Sequence, residues 1–210
     1  MNLITAYNGI NDKVALPFIE RFIKYSSKHG YKFDLTVDSF KNASYKQKII
    51  SDKLKETTSD YLVWIDLDCY VVDINRKIED IIDFKENKYI YYSKDSNGLC
   101  TGFFIIKKNE FTVKLFDMIN FVGECDGKTD LISKSNMGGF LNKNGNHYDQ
   151  NVVKVFLNYF PKLSDRVELI DESIIKNRDS MDSNSPFIYH FWNPWKDTDN
   201  VLRKINEFSF

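Results

Sequence analysis

The stretch Tyr61-Leu62-Val63-Trp64-Ile65-Asp66-Leu67-Asp68-Cys69 opens on five apolar residues and closes on two acids one residue apart. Five uninterrupted apolar residues have the length of a strand. The lack of polar alternation marks a strand buried on both faces, as in a sheet covered by helices. An Asp-x-Asp at the end of such a strand delivers two carboxylates to the carboxyl edge of the sheet, where open α/β sheets bind ligands. In extended chain, residues i and i+2 point the same way, so Asp66 and Asp68 can face one cation. Hard oxygen donors suit Mg²⁺ or Mn²⁺, above all when a diphosphate completes the coordination sphere.

Strand-like and helix-like segments alternate on either side of this stretch. Asn2–Tyr7 reads as a first strand, and Asp12–His29 as a helix with Val14, Phe18, Phe22 and Tyr25 near helical spacing and Gly30 at its stop. Lys32–Val37 alternates like a second strand, and residues 44–58 carry Tyr45, Ile49 and Leu54 on one helical face among lysines. Further strands are expected at 89–92, 103–107, 167–170 and 187–189, and further helices at 109–122 and 148–160. The alternation predicts a single α/β domain, a Rossmann-like fold with a mostly parallel central sheet flanked by helices. Residues 123–145, rich in Gly, Asn, Lys and Ser, read as a long loop and a candidate acceptor-side lid.

Composition narrows the partners. Twenty-nine basic against thirty acidic residues give a formal charge of -1, which argues against a whole-domain footprint for nucleic acid. Three cysteines without a CxxC spacing argue against a disulfide framework or a zinc site and favour a reducing compartment. The start MNLITAYNGINDK lacks the basic, then apolar pattern of a signal peptide. No apolar run approaches the roughly 18 residues of a membrane span, so a soluble, cytoplasmic protein is expected. Aromatic residues make up 15% of the chain, which suits either an aromatic-rich core or an aromatic-lined cleft.

Of the three histidines, His29 sits at a helix end, whereas His190 follows the apolar Phe187-Ile188-Tyr189 and opens His190-Phe191-Trp192-Asn193-Pro194-Trp195-Lys196. An imidazole there can complete a metal site, and a lysine six residues on can meet phosphate as a point charge. Two competing readings of the acid pair remain. One is a solvated strand end with two ordinary acids, and a catalytically silent nucleotide- or glycan-binding module is a further alternative for the whole chain. The other is a phosphatase of the haloacid dehalogenase type, with Asp66 as nucleophile in a DxDx[TV] motif. Against the phosphatase, Tyr70 occupies the fifth position, the strand is not the first, and no later acidic pair is evident.

Several segments together resemble the nucleotide-sugar-dependent glycosyltransferases of the GT-A fold, and most closely glycosyltransferase family 34, with its galactosyl-, mannosyl- and xylosyltransferases. Ser44-Tyr45-Lys46 resembles that family's SWxK-like helix start, and Trp64-Ile65-Asp66-Leu67-Asp68 its WxDxD. Leu99-Cys100-Thr101-Gly102-Phe103-Phe104-Ile105-Ile106 resembles its LNTGxFLI, and Tyr148-Asp149-Gln150 its SDQ. The closing His190-Phe191-x4-Lys196 is similar to the HFxGxxK of the glycogenin-like family 8.

The resemblance implies a metal-dependent, retaining transfer of a sugar from a nucleotide-diphosphate sugar, with UDP-sugars the expected donors, to a glycan or other hydroxyl acceptor. Mn²⁺ or Mg²⁺ is the implied cofactor, with Asp66, Asp68 and His190 as metal ligands. Asp66 also meets the ribose and Lys196 the diphosphate. Thr5, Ala6, Tyr7 and Asn8 form the nucleotide pocket, with Tyr7 stacking on the base. Lys46 approaches the phosphates, Gly102 leaves room for the donor sugar, and Asp149 and Gln150 lie near its hydroxyls and anomeric carbon. The nucleotide-sugar part covers about 1–110 and the acceptor-side part about 111–210. Cys100 stands where the family has Asn, and Asn193 where Gly is usual near the closing histidine. Without the membrane anchor of Golgi members, the chain resembles a bacterial or viral version, such as a chlorella-virus glycan-building transferase.

Overall fold

Burial of the central strands on both faces is what builds the layers. The computed structural model describes residues 1–9, 12–38, 45–95, 98–124, 149–171, 173–177, 186–191 and 197–208. Their elements, in chain order, are β1 (Asn2–Tyr7), α1 (Asp12–His29), β2 (Lys32–Val37), α2 (Tyr45–Glu56), β3 (Tyr61–Ile65), β4 (Cys69–Val71), α3 (Ile78–Ile81), β5 (Ile90–Asp95) and β6 (Gly98–Lys107). They continue with α4 (Glu110–Glu124), α5 (Asp149–Tyr159), α6 (Pro161–Ser164), β7 (Val167–Leu169), β8 (Ile175–Asn177), β9 (Ile188–His190) and α7 (Thr198–Phe208). The expected loop at 123–145 falls almost wholly outside the described residues, and Lys196 does so entirely.

Six strands form the main sheet in the order β2-β1-β3-β6-β5-β7. β1 pairs parallel with both β2 and β3, and β5 pairs parallel with β7, whereas β6 runs antiparallel to both neighbours. Five strands therefore share one direction, as the alternating pattern predicted. The exception comes from a hairpin: β5 turns into β6 with Asp95 opposite Gly98, and Gly98 takes a φ of 94°, open to glycine at no steric cost.

Successive residues of β3 face opposite layers, which explains its unbroken apolar run. Val63 and Ile65 join Leu3, Tyr7, Phe103 and Ile105 in one core, beneath α1. Leu62 and Trp64 join Ile4, Phe104 and Ile106 in the other, beneath α2, α4 and α5. At about 25 cal/mol per Å² of apolar surface, such two-sided burial is the main term holding the strand in register.

A second sheet, in the order β4-β9-β8, closes the α1 side near the functional edge. β4 runs antiparallel to β9 with Cys69 opposite His190. Arg21 of α1 pins the outgoing chain, donating from Nε to the Val71 carbonyl at 2.7 Å and from the guanidinium to that of Val72 at 2.5 Å. α7 packs from outside: Val201 and Ile205 are buried, and the Phe208 ring stacks on Tyr70 at 6.0 Å. No helix among the described residues is long and apolar enough to cross a membrane.

Candidate active site

The order of the central strands makes a crevice. From β1 the chain crosses to β2 on one side, then to β3 on the other, so the connections diverge at the carboxyl ends of β1 and β3. Open sheets of this kind bind ligands at that switch point. Asn8 and Asp66 each follow directly after one of these two strands. Because β6 is antiparallel, its first half lies at the same edge: Asp66 N–H donates to the Gly102 carbonyl at 2.7 Å.

Beyond Ile65 the chain does not stay extended. A turn closes with Cys69 N–H donating to the Asp66 carbonyl at 2.9 Å. The two carboxylates therefore do not align as i and i+2 of a strand, as expected from the sequence, and each meets its own basic side chain. The Asp66 carboxylate accepts from the Trp64 indole at 2.6 Å and pairs with the Lys46 ammonium at 2.8 Å. Lys46 comes from the start of α2, donates also to the Thr101 carbonyl at 3.1 Å and lies 5.3 Å from the Trp64 ring centre. Asp68, within the turn, meets Nε2 of His190 at 3.2 Å. Phe191 N–H donates to the Asp68 carbonyl at 2.9 Å, which ties the turn to the end of β9.

A buried imidazole and a half-buried carboxylate thus form one ion pair. Burial opposes protonation of His190, yet the Asp68 carboxylate, helped by the Cys100 thiol, outweighs it and pushes the imidazole up to about 10. Burial likewise opposes ionisation of Asp68, and the His190 charge and hydrogen bond, with Lys46, bring its carboxyl below the usual range. Gly102 is the floor of this pair. A Cβ there would come within 2.7 Å of His190 Cε1 and 3.0 Å of Nδ1, so the close approach of backbone to ring demands glycine.

The donor set fits a divalent cation. Among the described residues, ligand atoms of Asp68, Cys69 and His190 lie within 4.8 Å of one another. Asp66 stands outside that set, engaged by Lys46. Thr5 is wholly buried in β1 and its hydroxyl finds no hydrogen-bond partner among the described residues. Ala6 and Asn8 are half-buried at the same edge. Tyr7, expected to offer its ring to a base, is 8% exposed, packs in the core and donates its hydroxyl to Asp12. Asp149 and Gln150 open α5, which packs against β6. Cys69, beside Asp68 in sequence, joins that set although composition gave it no role.

A family model, that of the galactosyl transferase GMA12/MNN10 family, matches residues 82–202, more than half of the chain. The chain belongs to the galactosyl transferase GMA12/MNN10 family. This member of the family is therefore a glycosyltransferase. The match takes in Gly102, Asp149, Gln150 and His190, while Asp66 and Asp68 lie ahead of it. Among solved structures, a glycosyltransferase involved in glycosylation of the major capsid of the virus PBCV-1 is 16% identical, with 98% of each chain covered and a TM-score of 0.72. The glycosyltransferase GlyE of Streptococcus pneumoniae TIGR4 is 11% identical, over 99% of this chain and 63% of that one, with a TM-score of 0.61. The galactosyltransferase LgtC, solved with donor and acceptor sugar analogues, is 10% identical over 99% and 95%, with a TM-score of 0.59. These likenesses establish the GT-A fold. No curated protein matches this sequence.

Proposed function

We propose that this glycosyltransferase uses a divalent cation, Mn²⁺ or Mg²⁺, to move a sugar from a nucleotide-diphosphate sugar, with UDP-sugars favoured, to a hydroxyl of a glycan or similar acceptor, with retention at the anomeric carbon. The observation that carries this reading is the Asp68–His190 pair at the switch-point crevice, 3.2 Å apart and both largely withdrawn from water. A carboxylate and an imidazole in contact, with Lys46 and Asp66 a turn away, form a site in which a cation and a diphosphate balance each other's charge.

In this reading Asp68 and His190 hold the cation, and Asp66 reaches the ribose and the cation's remaining sphere. The cation would act as a Lewis acid on the leaving diphosphate. Lys46, held at this edge by Asp66 and the Thr101 carbonyl, meets the phosphates in this reading, and so does Lys196. Thr5, Ala6, Tyr7 and Asn8 border the nucleotide from the end of β1. Gly102 leaves the donor sugar space beside His190, and Asp149 and Gln150 address its hydroxyls and anomeric carbon. With retention, the departing phosphate oxygen can take the acceptor's proton, so no strong base beside the acceptor is required. The whole chain serves as one catalytic domain, with the donor side in about 1–110 and the acceptor side in about 111–210.

Nucleotide release from a panel of nucleotide sugars, measured with Mn²⁺ and without metal, tests this proposal. Metal-dependent release with at least one donor, abolished in Asp68→Ala and His190→Ala, is expected. Metal-independent release, or full activity in both variants, would overturn it.

A further inference from the structure

Trp64 has no part in the reading above, yet it touches two of the groups that do. Two residues apart at the end of β3, Trp64 and Asp66 meet through the indole N–H, which donates to Asp66 Oδ1 at 2.6 Å. The Lys46 ammonium meets that same oxygen at 2.8 Å and lies 5.3 Å from the centre of the indole ring. Trp64 is 3% exposed and belongs to the core of Ile4, Ile50 and Phe104. The side chains of Lys46 and Asp66 keep 14% and 26% of their surface in reach of solvent. A group anchored in the core thus braces two groups at the crevice.

The three differ in what a ligand can draw from them. An ammonium carries three donors on a flexible stem, so a diphosphate can take Lys46 from Asp66. An indole has one donor and no charge, and this one is locked in the core, so it stays with the carboxylate. Without it, Asp66 would lose its counter-charge and its orientation in one step. We propose that Trp64 is a positioning residue of the donor site: its indole keeps the Asp66 carboxylate in place while the Lys46 ammonium passes from Asp66 to the diphosphate of the incoming donor. The inference rests on the proposed function, which gives Lys46 the phosphates and Asp66 the ribose, and deepens it by naming what lets the two act together. No covalent bond changes and no proton moves; Lys46 stays an ammonium and Asp66 a carboxylate. The Asp68–His190 pair is tied instead to the end of β9 and to Gly102.

Trp64→Phe keeps an aromatic ring for Lys46 and removes the N–H. The donor KM is expected to rise at least about tenfold, as for the loss of a hydrogen bond to a charged group, with kcat nearly unchanged and metal affinity in the absence of donor at the wild-type value. Leu62→Ala, on the same strand and in the same core, should lower the melting temperature and leave KM as it is. A wild-type KM in Trp64→Phe, or an equal rise in Leu62→Ala, would overturn the inference. Where Trp64→Phe fails to fold, the indole proton decides. In proton–nitrogen correlation spectra of the full chain, with Trp192→Phe and Trp195→Phe identifying the other two indoles, the Trp64 signal is expected at low field. It should stay there when UDP and Mn²⁺ are added and move upfield in Asp66→Ala; a signal that leaves low field as UDP binds would contradict the bracing role. Metal-dependent donor release by the wild type with an unchanged KM in Trp64→Phe removes this inference alone. No metal-dependent release from any donor removes the proposed function and this inference with it.

Discussion

At the scale of single residues, Gly102 and the ion pair above it carry the clearest consequences. Gly102→Ala places a methyl group 2.7 Å from the His190 ring. The imidazole must then swing away from Asp68, and we expect donor turnover to fall at least about tenfold while the melting temperature moves by only a few degrees, since about 1 kcal/mol shifts a domain of this size by roughly that much. Activity and a thermal melt on the same preparation check this. The metal-free pair also predicts a pH dependence. His190 has a folded value near 10 against 6.5 unperturbed, so its contribution to stability is full below 6.5 and is lost as the pH rises through about 10. Asp68 is lowered from 3.8, so its contribution is full above 3.8 and disappears as the pH falls through its lower, folded value. The stability difference between the metal-free wild type and His190→Gln should therefore be greatest between pH 3.8 and 6.5 and shrink steadily toward pH 10; a difference that grows above pH 7 in denaturant melts would contradict the pairing. His190 and Asp68 were both legible in the sequence, one as an imidazole after a strand and the other as an acid at a strand end. Their mutual contact was not, because it joins positions 122 residues apart through a ladder that local periodicity does not reveal.

At the scale of elements, the contrast lies between β3 and the second sheet. β3 announced itself because both of its faces are buried, and β1, α1 and β2 kept their expected limits. β9 was expected at 187–189 and lies one residue later, whereas β4 and β8, of three residues each, are too short to show a period and become strands by pairing with it. The expected strand at 103–107 begins at Gly98 instead, and Asn97-Gly98 ahead of it was the hairpin signal that marks the earlier start. α7 was missed although its signals were present: Asp197 accepts from Asn200 N–H at 3.4 Å as a capping residue would, and Val201 and Ile205 lie four apart. Because α7 backs the sheet that presents Cys69 and His190, its loss should act on the site before the rest of the fold. Ile205→Ala removes a buried side chain and is expected to cost about 2–4 kcal/mol in a denaturant titration. It should weaken metal binding as well, whereas Leu54→Ala, on the buried face of α2 in the other core, should cost comparable stability with little change in metal affinity. Equal effects of both on the metal would show that the small sheet is not a separate support.

At the scale of the whole molecule, the near-zero net charge and the aromatic excess find an explanation in layers. Most aromatics fill the two cores, where Phe18 packs edge-on against Tyr70 at 5.8 Å and Phe191 at 5.5 Å, and Phe104 stacks on Phe116 at 6.3 Å. Trp64 alone among the described aromatics of β3's end takes a role at the crevice, braced between Lys46 and Asp66. Charge balance over the chain conceals a polarised edge, with Asp66 and Asp68 beside Lys46 and His190 in one turn of backbone. Family membership makes the protein a glycosyltransferase, and the central claim beyond that is that this edge binds a nucleoside diphosphate through a cation. Calorimetric titration of UDP into the metal-stripped protein, with and without Mn²⁺, tests it most directly. The account predicts tight binding only in the presence of metal, and its loss in Asp68→Ala and in His190→Ala folded as the wild type; UDP bound equally well without metal, or by both variants, would contradict it.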